Sequence, residues 1–262
     1  MMKAISPTEK LLVEVRDHFA VLTINNPPAN TWDRESLAGL KTIIHRLDNM
    51  RDITALVIHG QGEKFFSAGA DLKQFASGDK VTAAEVARLF GEAFEALAQF
   101  EGVAIAAVNG YAMGGGLECA LACDIRIFEA HAQAALPEAK VGLLPCAGGT
   151  QRLSWLVGEG WTSRLILCGE RISADTAEKI GLAQEIVPKG QALEQAILLA
   201  TQVVQQSPDA IRSCKSLMIQ AREHAISAGL KSERTHFVDL IGEQNQLEGT
   251  NAFLEKRSPV WQ

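Results

Sequence analysis

The segment from Val103 to Cys123 constrains the fold more than any other part of the chain. Its first half, VAIAAVNG, is an unbroken run of small apolar and β-branched residues, which is typical of a buried strand. Three consecutive glycines follow, and the stretch GGLECALAC then has the composition of an apolar helix. A buried strand that runs through glycines into a buried helix indicates an α/β core.

The same alternation of strands and helices extends over the first two thirds of the chain. Apolar and β-branched runs predict five strands, at residues 11–15, 20–25, 54–60, 103–110 and 124–129. The first two strands are expected to form a hairpin. Helical spacing predicts a helix at 33–50 capped by Asp33, and another at 82–100, where Thr82 and Glu85 fit a capping box.

Beyond residue 149 the pattern is mainly helical. The predicted helices are 149–157, 161–168, 175–181, 191–206, 209–222 and 226–256, with one short strand at 184–187. We therefore predict an α/β core over residues 1–190 and a helical C-terminal region over residues 191–262. Within the core, ββα-like units recur loosely and without a strong sequence repeat.

Charge and composition argue against several classes of protein. The 25 basic and 31 acidic residues are interspersed, whereas nucleic-acid binding needs a clustered basic face. No apolar run approaches the roughly 20 residues of a membrane span, and the N-terminal segment lacks the apolar stretch of a signal peptide. Five cysteines without a C-x-x-C pair suit a reducing compartment, so we expect a cytoplasmic protein. The six histidines show no close pairing, so we predict no metal site.

The stretch FFSAGADLK (65–73) is the first of three that could carry chemistry. It lies in a loop, 60–81, that is long for a compact domain, and loops of that size usually line a site. Gly69 lets the backbone turn so that the N–H of Ala70 points into a cleft. Taken alone, an ordinary glycine turn is the favoured interpretation.

The glycine triplet at 114–116 is the second such stretch. Free N–H groups at a helix N-terminus stabilise negative charge, and Gly114 and Gly115 let a ligand approach the backbone without meeting a Cβ. A phosphate loop would need the Walker lysine, which is absent, so an oxyanion site is better supported. Glu118 in the first turn could serve only the helix dipole, but its apolar neighbours indicate partial burial, and a buried carboxylate needs a reason.

The stretch ALPEAKVGLLPCAGGTQRL (135–153) is the third. Glu138 follows Pro137 at a turn, and alone it could be the acidic first-turn residue of a short helix. Together with Glu118, twenty residues earlier, it supplies a second carboxylate. Two carboxylates can hold a water while one accepts and the other delivers a proton, although spacing does not show that they meet.

Four segments in this order, FFSAGADLK, VNGYAMGGGLECALACD, LPEAKVGLLPCAGGTQRL and GTNAFLEKR, resemble the crotonase superfamily and specifically enoyl-CoA hydratase. The resemblance covers about residues 11–257. It implies a crotonase-like superhelix of ββα units with a C-terminal helical trimerisation region, assembled as a trimer or a dimer of trimers. It also implies an acyl-CoA thioester substrate and no separate cofactor, because coenzyme A is part of the substrate.

The resemblance also assigns roles to residues. The backbone N–H groups of Ala70 and Gly115 match the oxyanion hole, which grips the thioester carbonyl oxygen. Glu118 and Glu138 match the two hydratase glutamates, with Glu118 as the base that activates a water and Glu138 as the acid that delivers a proton. The predicted acyl-CoA-binding residues are Ala68, Leu72, Lys73, Gly114, Cys146, Phe253 and Lys256. The last two are expected to reach coenzyme A on a neighbouring subunit.

Two departures from the family pattern bear on the substrate. Ala134 stands where the family usually has phenylalanine, which removes an aromatic wall from the expected acyl pocket. Cys146 replaces a glycine whose N–H helps to place the water, so the donor is kept and a Cβ is added. A reactive role for the Cys146 thiol has no support, because nothing near it in sequence would lower its pKa.

Other activities of the same fold are weighed against this one. A Δ3,Δ2-enoyl-CoA isomerase generally needs only one carboxylate, and dehalogenases or decarboxylases place other residues at these positions. A non-catalytic or RNA-binding relative would show a lost glutamate or a basic comb on one helix, and neither is visible. The acyl-chain length, its branching and the pathway stay open at this stage.

Overall fold

Two β-sheets form the framework of the computed structural model, which describes residues 5–75, 79–223, 244, 245, 248, 252 and 255–262. The larger sheet contains β1 Leu11–Arg16, β2 Phe19–Ile24, β3 Ala55–Gly60, β5 Val103–Val108, β7 Ile125–Glu129 and β10 Glu185–Val187. The smaller sheet contains β4 Phe65–Ser67, β6 Tyr111–Met113, β8 Gln133–Ala135 and β9 Ile172–Ser173. The predicted strands over the first two thirds of the chain are thereby confirmed.

The helices that cover these sheets begin and end close to the predicted positions. They are α1 Arg34–Asp48, α2 Lys80–Ala98, α3 Gly115–Ala122, α4 Gly149–Ile166, α5 Ala174–Lys179, α6 Ala192–Val204 and α7 Pro208–Glu223. The two predicted helices at 149–157 and 161–168 lie within α4, where Gly158, with a φ of 77° and a ψ of 165°, is not helical and separates them. The predicted helix at 226–256 falls mostly outside the described residues.

The connectivity repeats one unit. Three times the chain runs from a strand of the larger sheet into a strand of the smaller sheet and then into a helix, through β3, β4 and α2, through β5, β6 and α3, and through β7, β8 and α4. The buried side chain of Asn109 joins two of these crossings, because it accepts from the N–H of Gly60 at 3.0 Å and donates to the carbonyl of Gly62 at 2.7 Å. The predicted superhelix of ββα units is confirmed.

All neighbouring strands of the larger sheet run parallel except the hairpin pair β1 and β2. Parallel strands need cover on both faces. One face carries the main core, beneath α1, α2 and α3. The other face carries α6, whose Ala192, Ala196 and Ala200 are fully buried against Val57 and its neighbours. The division at residue 190 stays a prediction, and α6 on its far side packs directly on the core sheet.

Two helix caps show how the local sequence sets the boundaries. Asp33 caps α1 as predicted, because its side chain accepts from the N–H of Ser36 at 2.9 Å. The capping box predicted at Thr82 and Glu85 is wrong. Asp79 supplies a carboxylate three residues before Thr82 and accepts from the N–H groups of Val81 and Thr82, so α2 begins at Lys80.

In the described part of the chain, no helix combines the length and the apolar character that a membrane span requires.

Candidate active site

A cavity of 840 Å³ opens beside the N-terminal end of α3. Eight of the eleven predicted site residues line it, namely Ala68, Ala70, Leu72, Gly114, Gly115, Glu118, Glu138 and Cys146. Much of the remaining wall is apolar, with contributions from Phe90, Met113, Leu143 and Leu144. The structure therefore brings the three sequence stretches together around one space that could hold an apolar ligand with a polar end.

The other three predicted residues are Lys73, Phe253 and Lys256, of which only Lys256 has a described side chain. The backbone of Lys73 lies in a 3₁₀ turn, Leu72–Phe75, and its side chain is outside the described part of the chain. Phe253 lies outside the described residues. Lys256 is exposed and does not line the cavity. The roles of Phe253 and Lys256 toward a neighbouring subunit stay predictions.

Two backbone N–H groups face the cavity at its polar end. The carbonyl of Gly69 accepts from the N–H of Trp32, and the N–H of Asp71 donates to the carbonyl of Trp32. In the peptide that joins Gly69 to Ala70, the C=O and the N–H point in opposite directions. The N–H of Ala70 is therefore turned away from Trp32. Gly115 is the first residue of α3, where the N–H has no acceptor within the helix. Neither N–H has an acceptor among the described residues.

The N–H groups of Ala70 and Gly115 lie close together, as the position of a Cβ built on Gly115 shows. A Cβ on Gly115 would lie 3.7 Å from the nitrogen of Ala70 and 2.8 Å from a ring carbon of Phe90. A carbonyl oxygen that reaches this point meets two donors and the positive end of the α3 dipole. The geometry fits an oxyanion hole.

Glu118 is held rigidly in the first turn of α3. Its side chain is 2% exposed, and its Oε1 accepts from the N–H of Ala147 at 2.8 Å and from the N–H of Gly149 at 2.9 Å. Burial raises the pKa of Glu118, whereas these two hydrogen bonds and the charge of Arg152 oppose that rise. The net direction of the Glu118 pKa is upward, and the two fixed donors limit that rise.

Glu138 has the opposite environment. It begins a 3₁₀ turn, Glu138–Val141, and its buried Oε2 has no hydrogen-bond partner among the described residues. Burial first, and the negative charge of Glu118 second, raise the pKa of Glu138 from 4.5 to about 7. One carboxyl of the pair is therefore prepared to be ionised, and the other is prepared to carry a proton near neutral pH.

The raised pKa of Glu138 predicts a pH-dependent loss of stability. Because the folded state binds this proton more tightly than the unfolded state, the contribution is full below pH 4.5 and is lost as the pH rises through about 7. We expect Glu138→Gln to increase the free energy of unfolding, relative to the native chain, by about 1–3 kcal/mol more at about pH 9 than at about pH 4. Urea unfolding of both proteins at both pH values measures this difference in the free energy of unfolding. An equal difference at the two pH values would contradict the raised pKa of Glu138.

Cys146 and Ala134 are the two departures from the family pattern. The side chain of Cys146 borders the cavity, and burial together with the charges of Glu118 and Glu138 raises its pKa to about 11. Cys146 is exposed at the edge of the cavity, and the raised pKa disfavours the thiolate, so the structure gives no support to a reactive thiol. Ala134 is fully buried in β8, between Ala112 and Ile172, and does not line the cavity. Ala134 itself therefore forms no part of the wall, and the loss of an aromatic wall at this position stays a prediction.

Several residues of the site were missed by the sequence reasoning. The donors to Glu118 come from the backbone of Ala147 and Gly149, and backbone donors leave no mark in the residue types. Phe90 belongs to the buried apolar face of α2, and it also lines the cavity. Over the described residues, no three side chains of His, Cys, Asp or Glu converge in a way that could hold a metal ion.

Comparison with known proteins agrees with this geometry. The family model for enoyl-CoA hydratase/isomerase matches residues 14–262. A 2,3-dehydroadipyl-CoA hydratase from Escherichia coli strain K12 is 38% identical over 251 residues, which is 95% of this chain and 97% of that protein. A short-chain-enoyl-CoA hydratase from Clostridium acetobutylicum is 34% identical over 248 residues, or 94% and 95% of the two chains. A solved structure of Pseudomonas aeruginosa DspI is 61% identical over the full length of both chains, with a TM-score of 0.97.

Proposed function

The chain belongs to the enoyl-CoA hydratase/isomerase family and is an enzyme of the lyase class, and we propose that it adds water across the trans-2 double bond of an acyl-CoA thioester to give a 3-hydroxyacyl-CoA. One observation carries the proposal. The carboxyl groups of Glu118 and Glu138 lie in unequal environments and face one cavity, beside two backbone N–H groups that have no acceptor in the described part of the chain.

The thioester carbonyl is the group that the N–H donors of Ala70 and Gly115 would bind. When these N–H groups donate to the carbonyl oxygen, electron density is drawn from the conjugated double bond and Cβ becomes electrophilic. As the enolate forms, negative charge builds on the same oxygen, so the donors bind the transition state more tightly than the substrate. Such a donor typically contributes about 3–4 kcal/mol.

The two glutamates divide the proton transfers. Glu118, with fixed donors on Oε1, acts as the base: it accepts a proton from water as the water oxygen bonds to Cβ. The enolate then collapses and Cα takes a proton from Glu138, whose raised pKa supplies the protonated form. Water has then contributed its hydroxyl to Cβ, and one proton has been taken up by Glu118 while another has left Glu138. Release of product resets the pair through solvent.

The cavity walls suit an acyl chain. Phe90, Met113, Leu143 and Leu144 offer apolar surface beyond the polar end, and Leu72 lies at the side where we propose that the nucleotide part of coenzyme A binds, together with Ala68 and Lys73. Assembly as a trimer or a dimer of trimers is also a proposal. It is supported by exposed apolar side chains on α6 and α7, namely Leu198 and Met218, which are 53% and 59% exposed.

Steady-state kinetics with a series of acyl-CoAs tests the proposal. We expect turnover of trans-2-enoyl-CoAs to 3-hydroxyacyl-CoAs, with a single optimum of kcat/KM over chain length that reflects the size of the apolar wall. The alternative, Δ3,Δ2-enoyl-CoA isomerase, needs one carboxylate only. Rapid conversion of 3-enoyl-CoA to 2-enoyl-CoA with no hydration of the latter would favour that alternative and contradict the proposal.

A further inference from the structure

The loop that holds Glu118 has an unusual conformation. Gly148 has a φ of 100° in the left-handed region and forms the N-cap of α4 without any side-chain cap. The residues on both sides of Gly148 supply the two N–H donors to Glu118, from Ala147 and Gly149. The position of the Glu118 carboxylate therefore depends on what keeps this short loop in place.

Arg152 is the side chain that folds back onto the loop. Its Nη1 donates to the carbonyl of Ala147 at 2.8 Å, while its own backbone N–H donates to the carbonyl of Gly148 at 2.8 Å. A Cβ on Gly148 would lie 2.2 Å from Nη1, so the guanidinium packs against bare backbone where only glycine leaves room. Ala147 is thus bonded on both sides, to Glu118 through its N–H and to Arg152 through its carbonyl.

The titratable groups around Arg152 and Glu118 lie on or next to four helices, α2, α3, α4 and α7. Among the described residues, Arg152 is the cation whose charge lowers the pKa of Glu118. Arg152 itself faces Glu95 of α2, Cys123 after α3 and Arg222 of α7, besides Glu118. Glu118 in turn acts on Glu138 and Cys146 across the cavity. Arg152 does not line that cavity, so it acts on the reaction only through Glu118.

We propose that Arg152 is a positioning residue for the reaction, because its guanidinium donates to the carbonyl of Ala147, the residue whose N–H holds Glu118, and places a positive charge near that carboxylate. The proposal rests on the proposed function, in which Glu118 is the base. It requires that loss of the Arg152 charge alters proton transfer and leaves acyl-CoA binding nearly unchanged, because none of its atoms faces the substrate space.

The test compares Arg152→Gln and Arg152→Lys with the native enzyme by the pH dependence of kcat, from about pH 5 to 10. Glutamine removes the charge and keeps a donor amide, whereas lysine keeps the charge. For Arg152→Gln we expect the acid limb, which reports Glu118, to move up by about one pH unit, because an opposite charge has left its surroundings. At pH values below the native acid limb kcat should fall about tenfold with KM changed less than about twofold, and the basic limb should stay in place. Arg152→Lys should restore the acid limb.

Arg164→Gln, which removes an exposed arginine of the same helix that is paired with Glu170, serves as the matched control. A uniform loss of kcat at every pH with an unmoved acid limb would overturn the proposal, and so would a change confined to KM. If Arg152→Gln does not fold, Gly148→Ala carries the test, because its methyl group must displace the guanidinium; native kcat in that variant overturns the proposal. Absence of hydration in the native enzyme would instead overturn the proposed function.

Discussion

Replacement of either active-site glutamate by glutamine is expected to reduce hydration of a short enoyl-CoA by about 10²–10⁴-fold, the usual contribution of a general acid or base. The amide oxygen in Glu118→Gln can still accept from Ala147 and Gly149, so the loop should keep its shape while the base is lost. Glu138→Gln keeps a donor but no transferable proton. Binding of the thioester should be nearly unaffected in both variants, because the carbonyl is held elsewhere.

The double variant separates a paired mechanism from two independent effects. Because both groups act in one addition of water, the double variant should lose far less activity than the product of the two single losses. Glu101→Gln, an exposed carboxylate paired with Arg51, is the matched control and should keep native turnover. Initial rates measure turnover, and titration with a non-reactive acyl-CoA measures thioester binding. Near-native turnover in either single variant would rule out the paired mechanism.

A methyl group at Gly115 is expected to abolish turnover by a different route. It would lie 3.7 Å from the nitrogen of Ala70, which is where the thioester oxygen must approach, so Gly115→Ala should lose at least about a hundredfold in kcat/KM. Unlike the glutamate variants, it should also bind acyl-CoA poorly. Kinetics and acyl-CoA titration therefore distinguish the loss of carbonyl binding from the loss of proton transfer.

Two further variants test whether a packing defect, rather than blocked N–H donors, causes the loss of activity. The same methyl group would lie 2.8 Å from the ring of Phe90, and Phe90→Leu in the Gly115→Ala background makes room for it. The double variant should fold and remain inactive, because the methyl group still blocks the donors. Gly91→Ala, on a helix face where the new Cβ meets only Glu95 at 3.6 Å, is the control and should be fully active. An active Gly115→Ala enzyme would place the thioester carbonyl elsewhere.

The long elements of this fold could be predicted from the sequence because their periodicity is strong. The stripe from Val86 to Leu97 on α2 and the apolar run of β5 each extend over enough residues to be read directly. The strands β4 and β9 have three and two residues, too few for any period, and they form only because β6 and β8 pair with them. Tertiary pairing, rather than local sequence, creates the smaller sheet.

The residue types of the candidate site could be predicted from the sequence, but the sequence did not show that these residues meet in space. Glu118 and Glu138 are brought together because β6 and β8 lie parallel with Met113 opposite Ala135, so that the chain leaves both strands at the same level. The N–H of Gly114 then donates to the carbonyl of Ala135 and fixes that level. Such a register is set by the whole sheet. Arg152 was missed for a related reason, since its partner is a carbonyl in a loop whose conformation the residue types do not reveal.

The most direct test of the central claim is to identify the product formed from trans-2-butenoyl-CoA in water enriched in heavy oxygen and deuterium, by mass spectrometry. If the two glutamates add water across the double bond, the product is 3-hydroxybutanoyl-CoA with one heavy oxygen at C3 and one deuterium at C2, and Glu118→Gln forms almost none. Recovery of unchanged substrate, or of a positional isomer that carries deuterium and no heavy oxygen, would contradict the account.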